Sequence, residues 1–342
     1  MKTKLKLSVA CGIAALLVGL NVQAEEKIFS IGGDLELDLT AKNESGDVAS
    51  STSYYNGGRV KLSAVGELKG DNYFVKGVAQ PLVPFKGNSL GYDDVYLQFG
   101  RSEWDVQIGR FEGFDLFPAG KDTVAEHGGD PSLVTNARGV KVYGANDARG
   151  RKDNVIHAAA HLKPNDAMNF ELGVMGAKNT GDYEKFAAIR PAMTYNAGIA
   201  TIRAGVESVR QTNAAAGSAA QSHTGFGLGA GVAVGGGSLN VSIAKKNVSK
   251  GESATYTDTT SAAVNFTQGP WGVGYLTSTQ NAFDGGSDPK LNTFYAAYTV
   301  PLFGSKDASV TFAASTSKAT NVGADDADHK VNAFRTRFNY SF

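Results

Sequence analysis

The last twelve residues read VNAFRTRFNYSF, Val331 to Phe342. Phe334, Phe338, Tyr340 and Phe342 share one parity, and Arg335, Arg337, Asn339 and Ser341 share the other. Successive side chains of a β-strand point to opposite faces, so this stretch is a strand with an aromatic face and a basic, polar face. A half-buried strand of a soluble sandwich would look the same. The alternative is a strand whose aromatic face meets lipid while its arginines meet water. The rest of the chain has to separate the two.

The alternation recurs along the sequence. SIGGDLELDLTA sets Ile31, Leu35, Leu37 and Leu39 against Asp34, Glu36, Asp38 and Thr40, and GGRVKLSAVGEL sets Val60, Leu62, Ala64 and Leu68 against Arg59, Lys61, Ser63 and Glu67. Trp104, Val106 and Ile108 oppose Asp105 and Gln107, and Ile156, Ala158, Ala160 and Leu162 oppose His157 and His161. No sustained period near 3.6 marks an amphipathic helix after the first residues. The connections fall into two kinds in turn. Short ones begin at Lys69, Gly100, Lys163, Asn196, Gly235 and Gln268, and long polar ones span 42–53, 81–90, 111–153, 177–185, 211–223, 249–256, 281–290 and 318–329. Short turns on one rim and long loops on the other are the mark of a transmembrane antiparallel up-and-down β-barrel, an all-β fold, and a sandwich has no reason to enforce them. The count is sixteen crossings if GVKVYG, Gly139 to Gly144, belongs to the long excursion after Phe111, with fourteen or eighteen as the alternatives.

The opening residues MKTKLKLSVACGIAALLVGLNVQA place Lys2, Lys4 and Lys6 before a short apolar run and the small-residue end Val22-Gln23-Ala24. This predicts a signal peptide over 1–24, cleaved after Ala24, and a single barrel domain over 25–342. Cys11, the only cysteine, falls inside the predicted signal, so the barrel must be stable without disulfides. Without the signal lysines, 30 Lys and Arg face 33 Asp and Glu, and this near-neutral balance gives nucleic acid nothing to bind. The 42 glycines and 9 prolines are spread as turn signals, with no linker. Trp104 and Trp271 share the apolar parity and are expected on the lipid face.

The stretch YDDVYLQFGRSEWDVQIGRFEGFDLFPAGKDT, with its Gly109-Arg110-Phe111 element, resembles the Gram-negative outer-membrane porins, and its version is similar to the carbohydrate porins of the raffinose and cyclodextrin type. The terminal phenylalanine with aromatics two apart resembles the signal read by barrel-assembly machinery. The resemblance implies localisation in the outer membrane among lipid and lipopolysaccharide, and a water-filled channel for passive diffusion of small hydrophilic solutes such as oligosaccharides. It also implies a third outer loop folded inwards to narrow the pore, and either a trimer or a monomer. A general, non-specific ion and solute porin is the alternative.

That loop mixes Phe111, Phe114 and Phe117 with Glu112, Asp115, Lys121, Asp122, Glu126 and His127. Aromatic rings suit the apolar faces of a sugar, and charged groups suit its hydroxyls. Anchoring of the loop to the wall is the competing role for the three rings. Around the lumen, Arg59, Lys61, Arg110, Arg190, Arg203, Arg335 and Arg337 are expected to line the pore and to oppose an acidic group including Asp34, Glu36 and Asp38. No catalytic residue, cofactor or metal is expected. His157 and His161 lack a companion motif of metal spacing, and GADDADH, with Asp325, Asp326, Asp328 and His329, lacks that of a calcium loop. An outer-membrane barrel enzyme and a plugged structural barrel are the rival classes, and the length opposes the plug because about 16 strands enclose a channel.

Overall fold

The structure, a computed structural model, describes residues 26–47, 50–85, 90–118, 120, 140–215, 217–253, 256–283, 285–322 and 327–342. The predicted signal peptide, and Asp325 and Asp326 of GADDADH, lie outside the described residues.

Sixteen strands follow one another: β1 (Glu26–Gly46), β2 (Ser51–Lys69), β3 (Phe74–Pro84), β4 (Gly91–Gly100), β5 (Trp104–Arg110), β6 (Ile156–Asn165), β7 (Met168–Lys178) and β8 (Tyr183–Ala197), then β9 (Ala200–Asn213), β10 (Gln221–Val234), β11 (Gly237–Lys250), β12 (Thr259–Gln268), β13 (Trp271–Gln280), β14 (Lys290–Pro301), β15 (Ala308–Val322) and β16 (Ala327–Ser341). Each pairs with its chain neighbours, and β1 pairs antiparallel with β16, from Asp34 opposite Ser341 to Gly46 opposite His329, so the sheet closes. Closure satisfies the backbone without leaving an edge, the condition for spanning a bilayer with strands. The expected sixteen crossings are present, and residues 140–149 form no strand.

The parities fall as the alternation requires. Leu97, Leu172, Val206, Leu228, Val241, Phe294 and Phe312 are exposed on the outside, where lipid would cover them, while the intervening positions face inwards. Trp104 and Trp271 each open a strand directly after a short turn, on the outward parity. Trp271 is 59% exposed, and its ring lies 4.2 Å from that of Tyr298. With Tyr340 and Phe342 they form part of an aromatic belt at the short-turn rim.

At the opposite rim the connections are shorter than the sequence suggested. β1 and β2 remain paired up to Glu44 opposite Ser51, which reduces the expected 42–53 loop to 47–50. Likewise β7 runs to Lys178 and β8 starts at Tyr183, while β15 runs to Val322 and β16 starts at Ala327. Stretches such as AKNESG and STSYYN are polar on both faces because both faces are wet above the membrane. The ladder continues there after the apolar parity has stopped.

Candidate functional site

The connection between β5 and β6 turns into the barrel. Two described stretches of it, 111–118 and 140–155, lie against the inner wall, largely through their own backbone. The Phe114 amide donates to both oxygens of Glu171 (β7) at 3.1 Å. Arg190 (β8) donates to the carbonyls of Phe114 at 2.7 Å and Ala145 at 3.0 Å. Asn265 (β12) donates to the Pro118 carbonyl, Ser278 (β13) donates to that of Lys141, and Ser261 (β12) accepts from the Tyr143 amide. Val140 is fully buried among Leu276, Leu291, Ala319 and Val331 of β13 to β16. The segment therefore crosses the lumen from β5 and covers the wall from β7 round to the outer part of β16.

Strand β10 shows why this close approach is possible. Its inward positions include Gly225, Gly227, Gly229 and Gly231. A β-carbon at Gly227 would lie 3.0 Å from Leu116 Cβ and 3.1 Å from Ala145 Cβ, and one at Gly225 would collide with the Tyr143 hydroxyl. Above the glycines, Tyr143 donates its hydroxyl proton to Glu207 Oε1 at 2.5 Å, and the Ala148 amide donates to Glu207 Oε2 at 2.9 Å. Burial, reinforced by the charge of Glu207, pushes the Tyr143 phenol far above its usual range, so it keeps that proton. His223 Nε2 stands 3.2 Å from Asp147 Oδ2 and 3.6 Å from Glu207 Oε1. Burial raises the Asp147 carboxyl, but His223 and Lys246 outweigh it and hold the group below the ordinary carboxylate value. Asp147, Glu207 and His223 resemble a set of metal ligands, with their donor atoms within 4.8 Å of one another. Glu207 already engages both oxygens, so the cluster acts as a latch between segment and wall.

The wall left uncovered carries a ribbon of alternating charges. From the segment it runs Asp115, Arg149, Glu112, Arg151 at separations of 3.8, 3.5 and 3.6 Å. Arg151 reaches Asp93 at 2.6 Å and Asp94 at 2.8 Å on β4, and Asp93 is 3.6 Å from Lys61 on β2. Lys61 and Arg59 hold Asp34 at 3.1 and 2.8 Å, and Arg59 reaches Glu36 at 3.2 Å. Arg337 of β16 joins Glu36 at 3.6 Å and Asp38 at 2.7 Å.

This arrangement corrects several sequence expectations. The acids Asp34, Glu36 and Asp38 do not oppose the cations across the pore. They sit between Arg59, Lys61 and Arg337, because the register pairs Asp34 with Lys61, Glu36 with Arg59 and Asp38 with Arg337. Arg190 is 1% exposed and clamps the segment, with Glu171 at 3.1 Å. Arg335 is equally buried, with Asp38 at 4.0 Å. Arg110 lies opposite Val95, on the outward parity, and binds the Tyr92, Asp93 and Arg151 carbonyls and Asp153 at the rim. Gly109, with φ +136°, sits just before it. Phe111 is 1% exposed and stacks on His157 at 4.0 Å, which makes it an anchor.

Phe114 stacks on His161 at 5.8 Å and Phe117 packs against two buried clusters, and both stay partly exposed beside Glu112 and Asp115. Arg203 faces inwards on β9 and has no carboxylate partner among the described residues. Lys121, Asp122, Glu126 and His127 lie outside the described residues. His161 is held by Asp105 at 2.5 Å and Glu171 at 3.4 Å, and with His157 it belongs to the wall-to-segment contact. Sequence reasoning missed Arg149, Arg151, Glu171 and Glu207. The cationic run ARGRK within an otherwise polar loop was the available signal for the first two.

A closed barrel with a lipid-facing exterior, a charged wet interior and an inward-folded segment is an outer-membrane diffusion channel, a porin. The chain belongs to the family described as porin-like glycoporin RafY, whose family model matches residues 31–342. Among solved structures, trimeric OmpT from Vibrio cholerae superposes with a TM-score of 0.65 at 14% identity, covering 93% of this chain and 100% of that one. The anion-selective porin from Comamonas acidovorans gives 0.64 at 16%, with the same coverage. OpdO from Pseudomonas aeruginosa gives 0.52 at 12%, covering 92% and 97%. At these identities the likeness concerns the fold. No curated protein sequence matches significantly.

Proposed function

We propose that the channel passes neutral, hydroxyl-rich solutes of oligosaccharide size through a passage lined by the ribbon and the inward segment. The observation that carries this reading is the ribbon itself. Its charges alternate within 3.8 Å of one another from Asp115 to Asp38, so their fields largely cancel beyond the wall while their donors and acceptors remain. Such a surface exchanges hydrogen bonds with a polyol and gives little preference to either sign of ion. Beside the segment end of the ribbon, Phe114 and Phe117 present partly exposed rings that suit the C–H faces of a sugar. The family's glycoporin description agrees with this assignment.

Planar-bilayer recording on the purified protein tests it. A linear trisaccharide added on one side should block the ion current in a concentration-dependent way, and short peptides of similar mass should not. Replacing Phe114 and Phe117 by alanine should weaken the block while raising ion conductance. Equal block by sugars and short peptides would leave a general solute porin. We also propose that the mature chain begins at Glu25, which intact-mass measurement of protein extracted from outer membranes would read directly.

A further inference from the structure

The latch at Asp147, Glu207 and His223 has the composition of a metal site as well as that of an ion-pair cluster. His223 is the third residue of β10 from the loop rim and faces inwards, 2% exposed. Its Nε2 is buried and makes no hydrogen bond among the described residues, although Asp147 Oδ2 stands 3.2 Å and Glu207 Oε1 3.6 Å from it. On the other side of the ring, Nδ1 lies 2.6 Å from the Tyr256 hydroxyl. A neutral imidazole that donates from Nδ1 to that oxygen carries its lone pair on Nε2, towards the two carboxylates.

A tetrahedral zinc ion with bonds of about 2.0–2.1 Å holds its ligand atoms roughly 3.4 Å apart. The two separations from Nε2 bracket that value, and the three donor atoms all lie within 4.8 Å of one another. Its two hydrogen bonds do not exhaust Glu207, because an ionised carboxylate offers about four lone-pair positions. The Tyr143 hydroxyl and the Ala148 amide instead fix its oxygens, as Tyr256 fixes the imidazole, and metal ligands are held by outer partners of this kind. The Asp147 side chain is 39% exposed, so water can reach the cluster and supply a fourth ligand. Imidazole with carboxylates suits zinc, whereas calcium and magnesium take oxygen ligands. We infer that Asp147, Glu207 and His223 bind one zinc ion, which clasps the inward segment to β9 and β10. The ion takes the place of any proton on Nε2. Lys246 Nζ lies 5.6 and 5.2 Å from the ring centres of Tyr143 and Tyr256, and its charge beside the site opposes the ion.

Titration of the tag-free, full-length protein with zinc chloride, after removal of metal by a chelator and in competition with a chromogenic zinc indicator, tests this. The parent should bind one zinc ion per chain. Y256F, which removes only an outer partner, should weaken binding about 10- to 100-fold, and H223Q should weaken it further. K246Q should bind more tightly, because a like charge is gone. H329Q, on β16, should bind like the parent. Heat-modifiable gel mobility shows whether each variant is a folded barrel. Zinc should also slow amide exchange from Ala145 to Gly150 in the parent and leave it unchanged in H223Q. Failure of the parent to bind zinc, equal binding by a folded H223Q, displacement of zinc by equimolar calcium, or binding that leaves exchange over that stretch unchanged would overturn the assignment.

Discussion

Arg190 shows how a residue's parity can be read correctly while its role is not. The alternation in β8 places it inside the barrel, as the structure does, but its guanidinium is consumed by Glu171 and by the carbonyls of Phe114 and Ala145. No local pattern reveals that a segment more than forty residues away in sequence covers it. Replacing Arg190 by methionine would leave Glu171 buried beside uncapped carbonyls. The variant is expected to lose about 3–5 kcal/mol, measured by urea unfolding of the refolded barrel, and to show a larger, noisier conductance. Arg203 is the contrasting case. Its Nη1 is buried without a hydrogen-bond partner among the described residues, and Gly231 leaves room for it beside Asn240 Oδ1. A cation without a counter-charge raises the local concentration of anions. R203Q is therefore expected to shift the reversal potential in a salt gradient towards cations, with sugar block little changed.

The inward segment and β10 depend on one another. Alternating glycines in GFGLGAG read from sequence as small lumen residues, which they are, and the structure adds the reason: Leu116, Tyr143 and Ala145 occupy the space that β-carbons would take. Valine at both 225 and 227 is expected to destabilise the barrel by about 1–3 kcal/mol through overpacking. It should also raise conductance by pushing the segment off the wall. The latch at Asp147 should add a pH dependence. Its carboxyl is held low in the folded protein, so its contribution is complete above the unfolded value near pH 4 and is lost as pH falls through the lower folded value. Amide exchange over residues 140–150, corrected for intrinsic rates, should be unchanged down to about pH 5 and should accelerate below about pH 4. D147N should show the faster exchange already at neutral pH.

The molecule as a whole was largely legible in its sequence. Period-two alternation and two kinds of connection lead to a closed barrel of sixteen strands, because lipid on one face and water on the other imprint themselves on every crossing. The outer strand ends were not legible, since water on both sides imprints nothing. The ribbon was half legible: Arg59, Lys61, Arg337, Asp34, Glu36, Asp38, Glu112 and Asp115 were identified, Arg149 and Arg151 were not, and the pairing required the register. That pairing has a measurable consequence. Neutralising only the bases, as R59Q/K61Q/R337Q, should make the channel cation-selective, and neutralising only the acids, as D34N/E36Q/D38N, should make it anion-selective. The parent should lie between them. Both shifts should fade with added salt, as screening contracts from about 10 Å at 0.1 M to about 3 Å at 1 M.

Much of the inward segment's attachment runs through main-chain amides and carbonyls, at Phe114, Pro118, Lys141, Tyr143, Ala145 and Ala148. Every amino acid except proline offers the same two groups. Side chains of the segment that point into the passage can therefore be exchanged without loosening those ties, while the wall residues that hold the backbone, Glu171, Arg190, Glu207 and Asn265, must stay. Such a division lets a lineage retune what passes through the opening by single substitutions in a loop, on a barrel whose folding those substitutions barely touch.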